Sequence, residues 1–369
     1  LNRPLPVYAT PLCVRGTPLF VYCEADQLSV CDDEHRERSR WQWQRGAATS
    51  PKSSDPLAVA NADWRISTDA SGYDDLLAVL QMILMHEPQV RMIEVVLPDG
   101  TARELAHAGL LVAQNGGYVS YAEMVWQHAA GWLPHAATTA FPALQVMHDG
   151  RRHPLRGPKP QGVVYTRYIP WLKRTLTLRT LRQENDLPLF SRWMNDPVVA
   201  QFWGETGDLA QHRHYLDTIA ADPHMTSLIA SFDDQPFAYF EAYWAKENRI
   251  APFYDSADFD RGWHVLVGEE AFRGKQFAVA WLTSISHYLF LDDCRTQCVV
   301  GEPRADHDKQ IRNLDKSGYA KVKEFDFPHK RAMLVMLSRE RYFGQGLWQP
   351  QTDLGTLHSP FPGAPSLTY

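Results

Sequence analysis

Two acid–base residues and one basic turn stand out in this 369-residue sequence. His264 sits in "GWHVLVGEE" (262–270), which alternates like a buried strand, and strand alternation puts its ring on the face opposite Trp263 and Val265. An imidazole titrates at about pH 6.5 when unperturbed, so it suits proton transfer near neutrality. Glu302 follows the short strand-like run "TQCVVG" and precedes Pro303. If the two strands are neighbours, carboxylate and imidazole meet as an acid–base pair. The plain alternatives are a hydrogen-bonded core histidine and a surface carboxylate at a strand end. Between them lies Arg273-Gly274-Lys275, leading into the apolar stretch "QFAVAWLTSISHYLFLDD" (276–293). A helix start presents backbone N–H groups and partial positive charge, so a pyrophosphate docks there readily, and a glycine lets the backbone come close. From the turn alone, an ordinary exposed strand-to-helix junction reads equally well. Asp306 is first an N-cap for the helix that follows and second a further acid–base candidate.

The elements that must hold these groups are legible in the C-terminal half. "TLTLRTL" (175–181) alternates as a strand, and helical spacing covers 184–196 and 208–222. Residues 225–244 form two strands around an Asp-Asp-Gln-Pro turn. The segment holding His264 follows, then the strand before Glu302, then a helix over 306–319 with Gly318 just past its end. Strands at 321–327 and 331–337 close the series. The order is βααβββαβαββ, and the helix crossing from 262–269 to 296–301 requires one parallel pair in a mixed sheet. In the N-terminal half, 74–88 reads as an apolar helix and 89–98 as a buried strand. A helix ended by Gly109 and then a strand and turn follow over 99–121. That series echoes residues 276–327. An unrelated α+β lid is the simpler alternative.

Length suggests about two domains. The boundaries expected are an N-terminal α+β domain over 1–150, a linker over 151–165, a catalytic domain over 166–345 and a tail over 346–369. The linker is rich in proline and basic residues, the tail in Pro, Gly, Ser and Thr, and 46–62 reads as a mobile loop. A net charge of −6 argues against a nucleic-acid partner. No run is apolar enough for a membrane span or a signal peptide. The chain opens on Leu1 rather than Met, which leaves room for residues ahead of it. Five cysteines with no Cys-x-x-Cys pair fit reduced thiols in a cytoplasmic protein, with no metal site.

Longer stretches carry a resemblance. "GWHVLVGEEAFRG", "HYLFLDDCRTQCVVGEPRADH", "GYAKVKEFDFPHKRAML" and "EAYWAKENRIAPFYD" resemble the GNAT acyltransferases of hydroxamate siderophore synthesis, in particular the aerobactin-type N-hydroxylysine acetyltransferases. The likeness covers roughly residues 175–343. It implies an α/β mixed sheet of the GNAT acyl-CoA transferase fold, and the echo of its element series then makes the N-terminal half a degenerate GNAT-like copy without a phosphate turn of its own.

The resemblance implies acyl transfer from acyl-CoA, acetyl-CoA by default, to the hydroxylamine nitrogen of N6-hydroxylysine or a related hydroxylated amine. His264 and Glu302 then become the catalytic pair, with Asp306 behind them. Val265, Leu266 and Val267 on the strand, Arg273 to Ala278 (Gly274, Lys275, Gln276 and Phe277 included) and His307 become the CoA site. Gln276 departs from the glycine usual in that loop, and His307 stands where asparagine is common. Glu241, Tyr243, Trp244, Tyr254, Lys330 and Arg331 become the acceptor site. Other siderophore-synthesis enzymes are possible partners, and the chain could act as a monomer or a homodimer. An aminoglycoside or polyamine acetyltransferase and a non-catalytic CoA-binding scaffold are the rival functions.

Overall fold

The structure, a computed structural model, describes residues 8–46, 62–137, 139–148, 150–350, 356–357, 359–361 and 367–368. The loop expected over 46–62 lies almost wholly outside them. The chain divides into two compact units, Leu1–Pro134 with Gly355–Tyr369, and His135–Leu354.

The first unit carries β1 (Tyr8–Val14), β2 (Thr17–Glu24), β3 (Gln27–Cys31), β4 (Glu37–Arg45) and β5 (Trp64–Ser67). Then come α1 (Tyr73–His86), β6 (Met92–Val96), α2 (Asp99–His107), β7 (Val112–Gln114), β8 (Gly117–Tyr121) and α3 (Ala122–Gln127). Its sheet runs β1-β2-β3-β4-β5-β6-β8-β7, with β5 and β6 parallel and α1 crossing between them. The alternation in β4, with Trp41 and Trp43 buried between exposed neighbours, is that of a sheet with one covered face. Gly109 follows α2 at φ +79, as its stop position requires.

The second unit opens with a hairpin of β9 (Gln145–His148) and β10 (Arg151–Pro154). It continues through β11 (Val163–Ile169), β12 (Arg174–Thr180), α4 (Gln183–Met194), α5 (Pro197–Trp203) and α6 (Leu209–Ala221). Three antiparallel strands follow: β13 (Met225–Phe232), β14 (Gln235–Trp244) and β15 (Arg261–Val267). The last part is α7 (Lys275–Asp292), β16 (Cys298–Gly301), α8 (Asp308–Lys316), β17 (Ala320–Phe327), β18 (Lys330–Ser338) and α9 (Arg339–Gly344). The sheet order is β11-β12-β13-β14-β15-β16-β18-β17, with β15 and β16 the parallel pair. This is the mixed-sheet order expected for 175–337, with α5 added between the two expected helices. The first unit repeats the same strand order with the same parallel step.

Two boundary expectations need correction. Residues 151–165 are not a linker: they hold β10 and the start of β11 and belong to the second unit. Their basic character serves packing, since Arg156 donates to both oxygens of Glu247 at 2.5 and 2.6 Å and lies 4.2 Å over the Trp244 ring. Nor is the tail a separate segment. Phe361 is buried edge-on against Trp43 and Trp64 in the first unit.

Candidate active site

β15 and β16 pair only at Arg261–Val299 and Gly262–Val300, then part. His264 and Glu302 each lie two residues past the last pair, so both face the opening where the strands separate. On the other side of β15, Glu241 of β14 is the direct cross-strand partner of His264, which puts both side chains on one face. The three groups meet there. His264 Nδ1 is 2.9 Å from Glu241 Oε2, and Nε2 is 2.8 Å from Glu302 Oε1.

The surroundings complete the set. Tyr215 and Tyr239 donate to Glu241 Oε1 at 2.5 and 3.1 Å, and Tyr243 donates to Glu302 Oε2 at 2.9 Å. Tyr239, Glu241 and Tyr243 alternate along one face of β14. The Tyr243 ring lies so close over Gly262 that an added Cβ would come within 2.3 Å of it. Both carboxylates are buried, at 2% and 3% exposure, while the imidazole keeps 22% of its side-chain surface. Burial works against a charged imidazole, but Glu302 and Glu241 outweigh it and lift its pKa to about 9. Burial likewise pushes the carboxyl groups up, and the imidazolium more than reverses this, holding both below the usual carboxylate range. At neutral pH the site is therefore an imidazolium donating both N–H groups to two carboxylates. In that state the ring acts as a donor rather than as a ready proton acceptor.

Tyr215, Glu241, His264 and Glu302 line a cleft of about 1370 Å³. Val265, Leu266 and Val267 form one wall, and Arg273, Gly274, Lys275 and Ala278 lie at the start of α7. Gly274 takes the N-cap position of α7 and no side chain caps it, so the first turn offers amide groups and partial positive charge to the cleft. A Cβ at Gly274 would meet nothing closer than Phe277 at 3.5 Å, so protein packing does not demand the glycine. Arg273 also holds the turn itself together. It donates to the carbonyls of Val267 and Gly268 at 2.9 and 3.1 Å and pairs with Asp196, the N-cap of α5, at 3.1 Å. The guanidinium thus ties the turn to the end of β15 and to α5.

His307 lines the cleft, stacked on Phe202 at 4.2 Å. Lys330 does too, donating to the Glu302 carbonyl at 2.7 Å.

Several expected site residues lie elsewhere. Asp306 is 68% exposed and paired with Arg304, and it does not cap α8, whose N-cap is His307. Arg331 is exposed and paired with Glu324. Trp244 carries Arg156 and Arg261 on its ring, and Tyr254 donates to Asp260 within the core, so neither lines the cleft. Tyr243 lies beneath Glu302 and supports it. Gln276 and Phe277 do not line the cleft, and the Phe277 ring packs with Phe232 and Phe272. Glu241, expected to hold the acceptor, instead holds His264.

Two cleft residues carry no signal in the sequence: Tyr215, and Trp203, whose Nε1 donates to the Val265 carbonyl at 3.2 Å. No local spacing marks either one, since both reach the cleft from helices distant in sequence. No helix among the described residues is long and apolar enough to cross a membrane.

Comparison with known proteins adds an independent line. Residues 182–327 match the model of an acetyltransferase (GNAT) domain. An N(6)-hydroxylysine O-acetyltransferase of Escherichia coli is 40% identical over 271 residues, 73% of this chain and 84% of that protein. An N(5)-hydroxyornithine:cis-anhydromevalonyl coenzyme A-N(5)-transacylase of Beauveria bassiana is 47% identical over 195 residues, 52% of this chain but only 43% of its own length. Among solved structures, an uncharacterised protein of Bacillus halodurans is similar at 25% identity and a TM-score of 0.48, covering 51% of this chain and 96% of that one.

Proposed function

We propose that this chain, which belongs to the GNAT acyltransferases related to N6-hydroxylysine acetyltransferase and the hydroxyornithine transacylases, transfers an acyl group from acyl-CoA to the nitrogen of an N-hydroxylated amine in hydroxamate siderophore synthesis. N6-hydroxylysine is our choice of acceptor and acetyl our choice of acyl group. The observation that carries the reading is the Glu241–His264–Glu302 cluster at the point where β15 and β16 part, beside the basic start of α7.

The chemistry follows from the charge state. A hydroxylamine is far less basic than an alkylamine and arrives neutral, so no strong base is needed to free its lone pair. Attack on the thioester carbonyl places positive charge on the nitrogen and makes its proton acidic. A carboxylate held ionised suffices to take that proton. Glu302 is the group we assign to orient the hydroxylamine and accept the proton; the tetrahedral intermediate then collapses, the C–S bond breaks and CoA leaves as its thiolate. His264 keeps Glu302 charged and fixed and adds positive potential beside the developing oxyanion. The α7 turn, through its amides and Lys275, holds the CoA phosphates, and Val265 to Val267 line the path of the pantetheine arm.

The test is thiol release from acetyl-CoA with N6-hydroxylysine, lysine or no acceptor, followed by addition of ferric ion. N6-hydroxylysine should raise turnover well above lysine, and the product should give the coloured ferric hydroxamate that an O-acyl product cannot form. Equal rates with lysine and hydroxylysine, or a product without that colour, would refute the assignment.

A further inference from the structure

Next to Glu302 the cleft carries more positive charge than its own carboxylates can balance. Arg249 stands at the mouth with 48% of its side chain exposed, its NH2 3.5 Å from Glu302 Oε1. That oxygen already accepts from His264, and the other accepts from Tyr243. Lys330 spends one donor on the Glu302 carbonyl, not on the carboxylate. Arg249 and Lys330 both lie over the Phe327 ring, at 5.4 and 5.5 Å, and His329 stacks on the same ring at 5.5 Å. One buried aromatic therefore seats two cations, and both of them line the cleft. With the imidazolium of His264, three positive charges stand around Glu241 and Glu302; of the other two carboxylates lining the cleft, Glu247 is bound by Arg156 and Glu205 sits near Tyr215. Arg304, the next cation along this wall, is neutralised by Asp306.

We propose that Arg249 and Lys330 form a carboxylate-binding subsite of the acyl-transfer cleft, and that one of the two substrates must bring that carboxylate. The inference rests on the acyltransferase reading above. Two sources share the chemistry: the α-carboxylate of an amino-acid acceptor, and the free acid end of a dicarboxylic acyl group on CoA. A hydroxylated diamine with a plain acetyl donor supplies neither. An Arg and a Lys fixed on a ring, with hydrogen-bonding capacity toward the cleft, discriminate against a ligand that leaves them unpaired.

The experiment is a two-by-two comparison on the full chain. Specificity constants are measured with N6-hydroxylysine or N-hydroxycadaverine as acceptor and with acetyl-CoA or succinyl-CoA as donor. The wild type should favour a carboxylate-bearing pair over N-hydroxycadaverine with acetyl-CoA by about tenfold or more. Preference along the acceptor axis assigns the subsite to the α-carboxylate, and preference along the donor axis assigns it to the acyl group. In Arg249→Gln and in Lys330→Gln that ratio should shrink toward one, with melting temperature measured in parallel. Arg249→Lys should keep part of it. Hydroxylamine turnover with no preference on either axis overturns the subsite while leaving the acyltransferase reading intact. So does a ratio unchanged in both folded Gln variants. Failure of every hydroxylamine to react would instead refute the function itself.

Discussion

His264 has a pKa of about 9 because two carboxylates hold it, and this has consequences for stability as well as for rate. Its folded value lies above the ordinary value of about 6.5. Its contribution to stability is therefore full below that value and is lost as pH rises through about 9. The melting temperature should fall between pH 7 and 9.5, and the fall should be smaller in His264→Gln, where no imidazolium is lost. A variant that follows the wild-type curve would show that the charge is not held there. The two carboxylates differ in what they touch. Glu302 faces the opening between the strands, and Glu302→Gln should lower kcat by about 10²–10⁴-fold. Glu241 reaches the reaction only through His264. Glu241→Gln should move the alkaline limb of the pH–rate profile downward, since one of the two charges that raise the imidazole pKa is gone, while keeping more of kcat at low pH than Glu302→Gln does. A pH profile superimposable on the wild type would reduce Glu241 to packing.

At the scale of elements, the site depends on where two strands stop pairing and on what lies beneath them. Gly262 marks the last paired position of β15, and the Tyr243 ring occupies the space a Cβ would need. Gly262→Ala should cost about 1–3 kcal/mol by overpacking. It should also lower activity by displacing Tyr243 from Glu302; a variant of unchanged melting temperature would show that the ring can move aside. The turn before α7 separates into two tasks. Lys275→Ala should weaken CoA by about two- to fivefold with little change in stability, as for an exposed ionic contact. Arg273→Ala should lower the melting temperature as well, because it releases two carbonyls and the cap of α5. Equal melting temperatures for the two variants would contradict that division.

These elements also explain what the sequence could disclose. Period-two alternation around His264, the short apolar strand before Glu302 and the positive-φ stops at Gly109 and Gly318 are local signals, and the strands, helices and parallel step followed from them. Strand pairing brings Glu241 opposite His264, a relation set by register across the 244–261 connection and invisible to spacing. Arg331 and Asp306 looked functional because charge near a strand end is ambiguous. Each is matched by a neighbour within seven residues, Glu324 and Arg304, which is how an exposed charge is ordinarily satisfied. Strands β1 to β4 were open to the same alternation test, and "RSRWQWQR" (38–45) passes it, yet their place in a second sheet follows only from the pairing.

At the scale of the whole molecule, the same sheet order occurs twice, but among the described residues the features we assign to CoA binding lie in the second unit. In the second unit, α4, α5 and α6 lie between β12 and β13 and supply Trp203 and Tyr215 to the cleft. In the first unit the corresponding strands, β2 and β3, are joined by the two-residue turn Ala25-Asp26, so no helix lies between them to form a facing wall. The junction before α1 differs in charge as well. Where the second unit has Arg273-Gly274-Lys275, the first has Asp69 ahead of Gly72 and Asp74 and Asp75 in the first helical turn. Those two carboxylates are turned to structural use, Asp75 paired with Arg38 at 2.8 Å and Asp74 with Arg15 at 3.4 Å. Negative charge at a helix start stabilises the helix and repels a phosphate from the position the second unit offers one. Calorimetric titration of the full chain with CoA should therefore give one site per chain. Neutralising Asp74 and Asp75 together with Asn should leave that stoichiometry unchanged, because the missing wall is not restored by removing repulsion. A second CoA bound by the wild-type chain would mean that the strand order alone, without the helices and the basic turn, is enough to make a site.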